Sequence, residues 1–112
     1  MECNVKGELN GSKLTITVEG EIDHHSAREL RRKIDELLYY YRPKKAALDL
    51  SSVSFMDSSG LGLILGRFTL VRELGGELVL TDPNESVSKV LELAGTSRLI
   101  KIEKTPVKGN SK

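Results

Sequence analysis

The sequence is poor in the residues that define specialised scaffolds. It has one cysteine, no tryptophan, three tyrosines and two phenylalanines in 112 residues. A lone Cys3 cannot form an internal disulfide, and it lacks the cysteine partners of a zinc site. Aromatic rings on which nucleic-acid bases could stack are also scarce. These absences exclude a disulfide-rich scaffold and predict no bound metal or other cofactor.

Neither sign of charge dominates the chain. Seventeen basic and sixteen acidic residues give a formal net charge of +1. A chain this close to neutral lacks the positive excess that neutralises the phosphates of DNA or RNA. We therefore expect no nucleic-acid partner. The hydrophobic share of 38% and the charged share of 29% are typical of a soluble globular protein.

Long apolar runs are absent as well. No stretch approaches the roughly 18 residues that cross a bilayer, and Met1 to Asn4 do not resemble the start of a secretory signal. We expect a cytoplasmic protein without a membrane partner. The length suits one domain, which we place at residues 1–103. Residues 104–112 carry three lysines and no acid, and we expect a disordered tail there.

The first 43 residues predict two strands and a helix. Alternating apolar residues on either side of Asn10-Gly11 predict a β-hairpin, with the second strand ending at Gly20. Helical periodicity then begins at Ser26 and stops at Pro43. Either Ser26 or Asp23, one turn earlier, could cap this helix.

The remaining chain alternates strands with helices. A strand over residues 46–50 and a polar loop over residues 51–54 precede a helix that starts near Ser58. Its predicted buried stripe comprises Leu61, Ile64, Leu65, Phe68 and Val71, and Gly75-Gly76 ends it. A strand over residues 78–80, a third helix capped by Asp82 and ended by Gly95, and a strand over residues 99–102 follow.

This order predicts an α/β domain. Its sheet should be mainly parallel, with about five strands, an antiparallel N-terminal hairpin and three to four helices.

The stretch from Phe55 to Gly62 is the most unusual in the sequence. It lies where a parallel strand is followed by a helix, which is where α/β proteins place their functional sites. Asp57 or Ser58 can cap the helix, and a serine at this place presents its hydroxyl outward. Gly60 and Gly62 each cost a helix interior roughly 1 kcal/mol. Two readings stay open: a cap with close internal packing, or a surface that a partner approaches closely.

Two segments give the chain a resemblance to a known family. They read Gly-Glu-Ile-Asp-His-His over residues 20–25 and Phe-Met-Asp-Ser-Ser-Gly-Leu-Gly over residues 55–62, continuing to Arg67. Together with the order of elements, they are similar to the anti-sigma factor antagonists of the STAS family, especially the sporulation type. The match runs from about residue 4 to residue 103.

The resemblance implies a non-enzymatic switch. In that family, an anti-sigma factor that is also an ATP-dependent serine kinase phosphorylates the serine after the motif aspartate, which here is Ser58. The unphosphorylated form would bind the anti-sigma factor and release its sigma factor. Phosphorylated Ser58 would prevent this binding until a serine phosphatase acts.

The resemblance also implies a partner-binding surface around Ser58. Asp57 would position the hydroxyl or help the kinase to recognise it. The loop after the second strand should lie beside it and form an acidic lip. The expected binding residues are Glu21, Asp23, His24, Asp57, Ser58, Ser59, Gly60, Leu61 and Gly62.

Other functions fit the residues less well. A STAS switch from another signalling pathway would share the fold and the serine. A hydrolase using Ser58 with His24 or His25 would lack the Gly-x-Ser-x-Gly nucleophile motif. The adjacent histidines are a weak metal pair, and the glycines do not have the spacing of a nucleotide-binding loop.

Overall fold

The computed structural model describes residues 3–105, and its order of elements is the predicted one. Five strands, three α-helices and one short 3-10 turn follow one another along the chain. They are β1 (Asn4–Asn10), β2 (Lys13–Ile22), α1 (Ala27–Tyr41), β3 (Lys45–Met56), α2 (Ser58–Glu73), β4 (Glu77–Thr81), α3 (Glu85–Leu93), the 3-10 turn (Thr96–Arg98) and β5 (Ile102–Glu103).

The strands form one mixed sheet in the order β1-β2-β3-β4-β5. β1 pairs antiparallel with β2 through the hairpin, and every later pair is parallel. Gly11 adopts a φ of +66° in the hairpin turn, a conformation that glycine reaches without strain. The predicted α/β architecture, with its N-terminal hairpin, is confirmed.

The core lies between one face of the sheet and the helices. Along β2, Leu14, Ile16 and Val18 are fully buried, whereas the intervening Thr15 and Thr17 point to the other face. Buried residues of all three helices join the same cluster. Each large aliphatic side chain taken out of water contributes roughly 1.5–3 kcal/mol, so this face holds the helices in place.

Two strands are longer than predicted, and the extra residues carry the site. β2 runs through Gly20 to Ile22, and β3 runs through the serines over residues 51–54, which we predicted as a loop, to Met56. Gly20 has a φ of +110° and lies at an irregularity in the pairing with β3, which bends the strand without ending it. Val53 and Met56 are buried, whereas the three serines of this segment are exposed, so the strand keeps contact with the core at every third residue.

The ends of α3 and β5 also differ from the prediction. Asn84, not Asp82, caps α3, because its Oδ1 accepts a hydrogen bond of 2.8 Å from the Val87 N–H. Asp82 instead accepts hydrogen bonds from the N–H and hydroxyl of Thr105. The chain turns at residues 96–98, so β5 keeps only two residues instead of four.

The buried face of α2 is rotated relative to the predicted stripe. Gly60, Leu63, Ile64, Arg67 and Val71 are buried, whereas Leu65 is 39% exposed. α2 packs on α1 as well as on β3 and β4. A helix that packs on two partners is apolar on more than one side. The 3.6-residue period of its apolar residues is then weak, and the buried face is hard to predict from the sequence.

The predicted tail lies largely outside the described residues. Residues 106–112 fall beyond them, while Thr105 is bound to Asp82. Within residues 3–105, no helix has both the length and the apolar character needed to cross a membrane.

Candidate functional site

Ser58 lies at the surface, as the first residue of α2. Asp57 caps the helix: its Oδ1 accepts a hydrogen bond of 2.8 Å from the Ser59 N–H. Of the two possible capping residues, Asp57 therefore caps α2. The Ser58 hydroxyl is not used as a cap. Ser58 is exposed, and Asp57 and Ser59 on either side of it are half-buried. The arrangement presents a hydroxyl at a helix N-terminus, where the macrodipole favours negative charge.

The loop between β2 and α1 lies directly beside Ser58, as expected. Ile22 is paired with Met56, and the Asp57 N–H donates to the Ile22 carbonyl at 3.2 Å. This hydrogen bond joins the last residue of β2 to the first residue after β3. The two loops therefore form one continuous surface at the carboxyl ends of the strands.

Hydrogen bonds fix the shape of the β2–α1 loop. Asp23 Oδ1 accepts from the N–H groups of His25 at 3.0 Å and Ser26 at 2.9 Å. The Ser26 hydroxyl accepts from the Asp23 N–H and donates to the Glu21 carbonyl at 2.8 Å. Of the two predicted caps, Asp23 holds the turn before α1, whereas the Ser26 side chain makes no cap hydrogen bond. The hydrogen bond from the Ser26 N–H holds the pKa of the Asp23 carboxyl below its ordinary value.

The predicted binding residues fall on two sides of this loop. His24, Ser59 and Gly62 line a groove between α1 and α2. Glu21 and Asp23 line a separate depression, together with Cys3 and Glu29. The thiol of Cys3 donates to the Glu21 carbonyl at 2.8 Å, which ties the start of the chain to the end of β2. The acidic residues and the groove thus belong to two separate depressions, and His25 borders both.

The two glycines after Ser58 have different roles. A methyl group added at Gly60 would lie 2.8 Å from the Met56 sulfur and 3.1 Å from a methyl carbon of Ile22. Gly60 is buried, so its missing side chain lets α2 approach the ends of β2 and β3. A methyl group added at Gly62 would meet nothing within 4 Å. Internal packing therefore explains Gly60 and leaves Gly62 unexplained.

Apolar groups also lie at the surface of this segment. Phe55, three residues before Ser58, is 46% exposed, and Leu61 is half-buried. We had predicted a contact role for Leu61 but not for Phe55. The polar sequence around Phe55 suggested a loop, in which the exposure of an aromatic ring could not be judged.

An ion pair that the sequence did not predict joins α1 and α2. Arg67, whose side chain is 8% exposed, places its Nε 2.9 Å from Asp35 Oδ1. Burial lowers the pKa of the Arg67 guanidinium, while the charge of Asp35 opposes that shift. A charged residue within an otherwise apolar run was the available signal. Its partner on another helix could not be read from the sequence.

The structure gives little support to a hydrolase or a metal site that uses the two histidines. The rings of His24 and His25 are 5.8 Å apart, and both residues are exposed. In the part of the chain that the structure describes, no three His, Cys, Asp or Glu side chains gather as metal ligands would.

Comparison with known proteins agrees with this geometry. The family model of the STAS domain matches residues 4–108. The anti-sigma F factor antagonist of Paenibacillus polymyxa is 34% identical over 102 residues, which are 91% of this chain and 87% of that protein. The anti-sigma-B factor antagonist of Bacillus subtilis strain 168 is 33% identical over 102 residues, which are 91% of this chain and 92% of that protein.

Solved structures of one protein match over nearly the whole chain. The anti-sigma factor antagonist SpoIIAA in its unphosphorylated form aligns with a TM-score of 0.76 and 27% identity, covering 96% of this chain and 92% of that one. The phosphorylated form of SpoIIAA, a Bacillus cell fate determinant, aligns with a TM-score of 0.69 and 26% identity, covering 96% of each chain. With the fold and these relatives in agreement, the chain belongs to the STAS domain family, among homologues that are anti-sigma factor antagonists.

Proposed function

We propose that this chain is an anti-sigma factor antagonist whose binding is switched off by phosphorylation of Ser58. The unphosphorylated form binds the anti-sigma factor, which is also the serine kinase, and so releases a sigma factor. A serine phosphatase restores the binding form. The observation that carries the proposal is the exposed Ser58 hydroxyl at the start of α2, beside a cap supplied by Asp57.

The physical basis is a local change of charge. A phosphate on Ser58 adds about −1.5 to −2 charges at a helix N-terminus, where the dipole tolerates them. The fold therefore has no need to rearrange. A docked partner would have to desolvate this charge next to the carboxylate of Asp57. A cost of about 3 kcal/mol would weaken the complex about a hundredfold.

The residues around Ser58 provide the contact surface. Ser59, Leu61 and Gly62 surround the hydroxyl on α2, and Gly60 sets the distance between α2 and the strand ends. At the end of β2 and in the loop that follows it, Glu21, Asp23 and His24 form the second part of the surface. The carboxylate of Asp23 shapes its own turn and is still able to face a basic partner residue.

The names and states of the relatives support this proposal. Two relatives are antagonists of anti-sigma factors, and one matching structure is the phosphorylated form of such an antagonist. The chain would act as a binding protein in the cytoplasm, without catalysis and without touching DNA.

Phosphorylation of the purified chain tests the proposal. The anti-sigma factor kinase, which we expect to be encoded beside this chain, is incubated with ATP and with wild type, Ser58→Ala or Ser59→Ala. Mass spectrometry should find one phosphate, at Ser58, in the wild type and in Ser59→Ala, and none in Ser58→Ala. Ser59 is the matched control, because it lies in the same turn of the same helix.

Binding then tests the switch itself. Calorimetry should show a tight complex for unmodified wild type and for Ser58→Ala, and a much weaker one for the phosphorylated protein. Equal affinity of the modified and unmodified forms would contradict the proposal. A kinase encoded beside a different regulator would instead assign the switch to another signalling pathway.

A further inference from the structure

The groove between α1 and α2 opens beside the segment that carries Ser58. Its volume is about 720 Å³, and its walls include His24, Arg28 and Arg31 on one side and Ser59, Gly62 and Gly66 on the other. The side chains that line it within residues 3–105 include arginine and histidine and no carboxylate. The surface next to Ser59 is therefore basic, although the chain as a whole is nearly neutral.

Arg32 is the most closely paired arginine of helix α1, and it lies away from this groove. On its outer face, Arg32 lies between Glu29 and Glu36, with ion pairs of 2.6 Å and 2.7 Å. On the groove face, within the described residues, Arg28 has no ion pair, and Arg31 reaches Asp35 only at 3.9 Å. Asp35 itself is held by Arg67 at 2.9 Å. Two exposed guanidinium groups thus face the groove: within the described residues, that of Arg28 has no ion pair and that of Arg31 has only a long one to Asp35.

The opposite wall combines two glycines with the side chains of Ser59, Leu63 and Arg67. Methyl groups added at Gly62 or Gly66 would meet nothing within 4 Å, so packing within the chain does not require glycine at either position. Each glycine costs the helix roughly 1 kcal/mol relative to alanine. Their spacing of four residues places both on the same side of α2 and leaves room for another chain to lie against its backbone.

We propose that an acidic segment of the anti-sigma factor lies in this groove when the complex forms, with its carboxylates on Arg28 and Arg31 and its backbone along Gly62 and Gly66. The groove is continuous with the proposed switch surface through Ser59. This inference rests on the proposed function and adds a second, positively charged contact to it. Complementary charge across an interface selects the partner and accelerates association.

Charge reversal tests the contact. The double variant Arg28→Glu/Arg31→Glu should bind the anti-sigma factor about tenfold more weakly or worse at low salt, with less loss at high salt. Arg28→Glu alone should give part of this loss without disturbing Asp35. The matched control is Lys89→Glu/Arg98→Glu, which changes net charge equally at two exposed positions on α3 and the following turn. This control should bind like wild type.

The outcomes separate this inference from the proposed function. If the groove variants bind like wild type while phosphorylation of Ser58 still abolishes binding, the groove contact is wrong and the switch stands. If the control loses as much affinity as the groove variants, the effect comes from net charge and the groove contact is again wrong. If unmodified wild type does not bind the anti-sigma factor, both proposals fail.

A second measurement needs no anti-sigma factor. A short polyglutamate peptide should shift the amide resonances of Gly62 and Gly66 in the NMR spectrum of the wild type, and a polylysine peptide should not. The shifts should disappear in Arg28→Glu/Arg31→Glu. Inorganic phosphate that shifts the same resonances as strongly as the peptide would make the groove a small-anion site and overturn the proposal.

Discussion

Two serines occupy matching places in this fold and are used in different ways. Ser26 precedes α1 and Ser58 begins α2, and each follows a parallel strand and lies near a capping aspartate. The hydroxyl of Ser26 is engaged by the backbone of its own loop, at Asp23 and Glu21. The Ser58 residue is exposed, and the cap of its helix is made by Asp57. The comparison teaches that a serine hydroxyl is available for modification when a neighbouring residue, and not the serine, makes the hydrogen bonds that cap the helix or fix the loop.

The largest expected difference concerns binding. Ser58→Asp should weaken the complex with the anti-sigma factor by about a hundredfold if one carboxylate substitutes for the phosphate. The melting temperature should stay close to that of wild type, because Ser58 is exposed at a helix N-terminus that accepts negative charge. Calorimetry and thermal unfolding measure the two quantities. Unchanged affinity of Ser58→Asp would contradict the proposal that negative charge at Ser58 prevents binding.

The two glycines after Ser58 should respond in opposite directions. Gly60→Ala should destabilise the fold by about 2 kcal/mol, because the added methyl group meets Met56 and Ile22 in a packed core. Gly62→Ala should raise stability by up to about 1 kcal/mol, because its site is open. Urea unfolding gives both values. In the same variants, only Gly62→Ala should weaken partner binding without loss of stability.

Removing each hydroxyl in turn sharpens the comparison of the two serines. Ser26→Ala should cost about 1 kcal/mol of unfolding free energy, because the hydrogen bonds to Asp23 and Glu21 are lost. Ser58→Ala should change stability by less than about 0.5 kcal/mol. Denaturant unfolding compares them directly. Equal losses would mean that the Ser58 hydroxyl has a structural role after all.

The smallest expected effect is a dependence of stability on pH. The folded chain depresses the pKa of Asp23, so this group stabilises the fold above its unfolded pKa of about 3.9. That contribution is lost as the pH falls through the lower, folded value. Asp23→Asn keeps an oxygen for the turn but does not titrate there. Below about pH 4, wild type should therefore lose slightly more stability than the variant in acid titrations followed by circular dichroism.

Much of the fold could be predicted because its signals are local. The order of elements, the hairpin turn and the stops at Gly75 and Gly95 depend on residues adjacent in the chain, and the structure confirms them. Polar residues in a strand that is exposed on one side look like a loop, which is why the extension of β3 through residues 51–54 was missed. Asp82 and Asn84 are both capable caps; in the structure Asn84 caps α3, whereas Asp82 accepts hydrogen bonds from Thr105, a contact between residues that are distant in the sequence.

The candidate site was predictable in part for the same reason. Asp57, Ser58 and the neighbouring loop follow from one short motif and from the pairing of β2 with β3. The basic groove could not be predicted from the sequence, because it depends on which side of α1 faces α2. The sequence shows the charges of Arg28, Arg31 and Arg32 equally, and only the fold separates Arg32, which lies between two glutamates, from Arg28 and Arg31, which line the groove.

The hydrogen bond from the Asp57 N–H to the Ile22 carbonyl has a consequence for how a signal can travel. It fastens the two loops to each other at the end of a sheet, so neither can swing away unless the last pairing of β2 and β3 opens first. A modification at Ser58 would then leave the backbone of both loops where it is. A partner would then recognise the modification only through direct contact with it. The backbones of the modified and unmodified chains would superimpose.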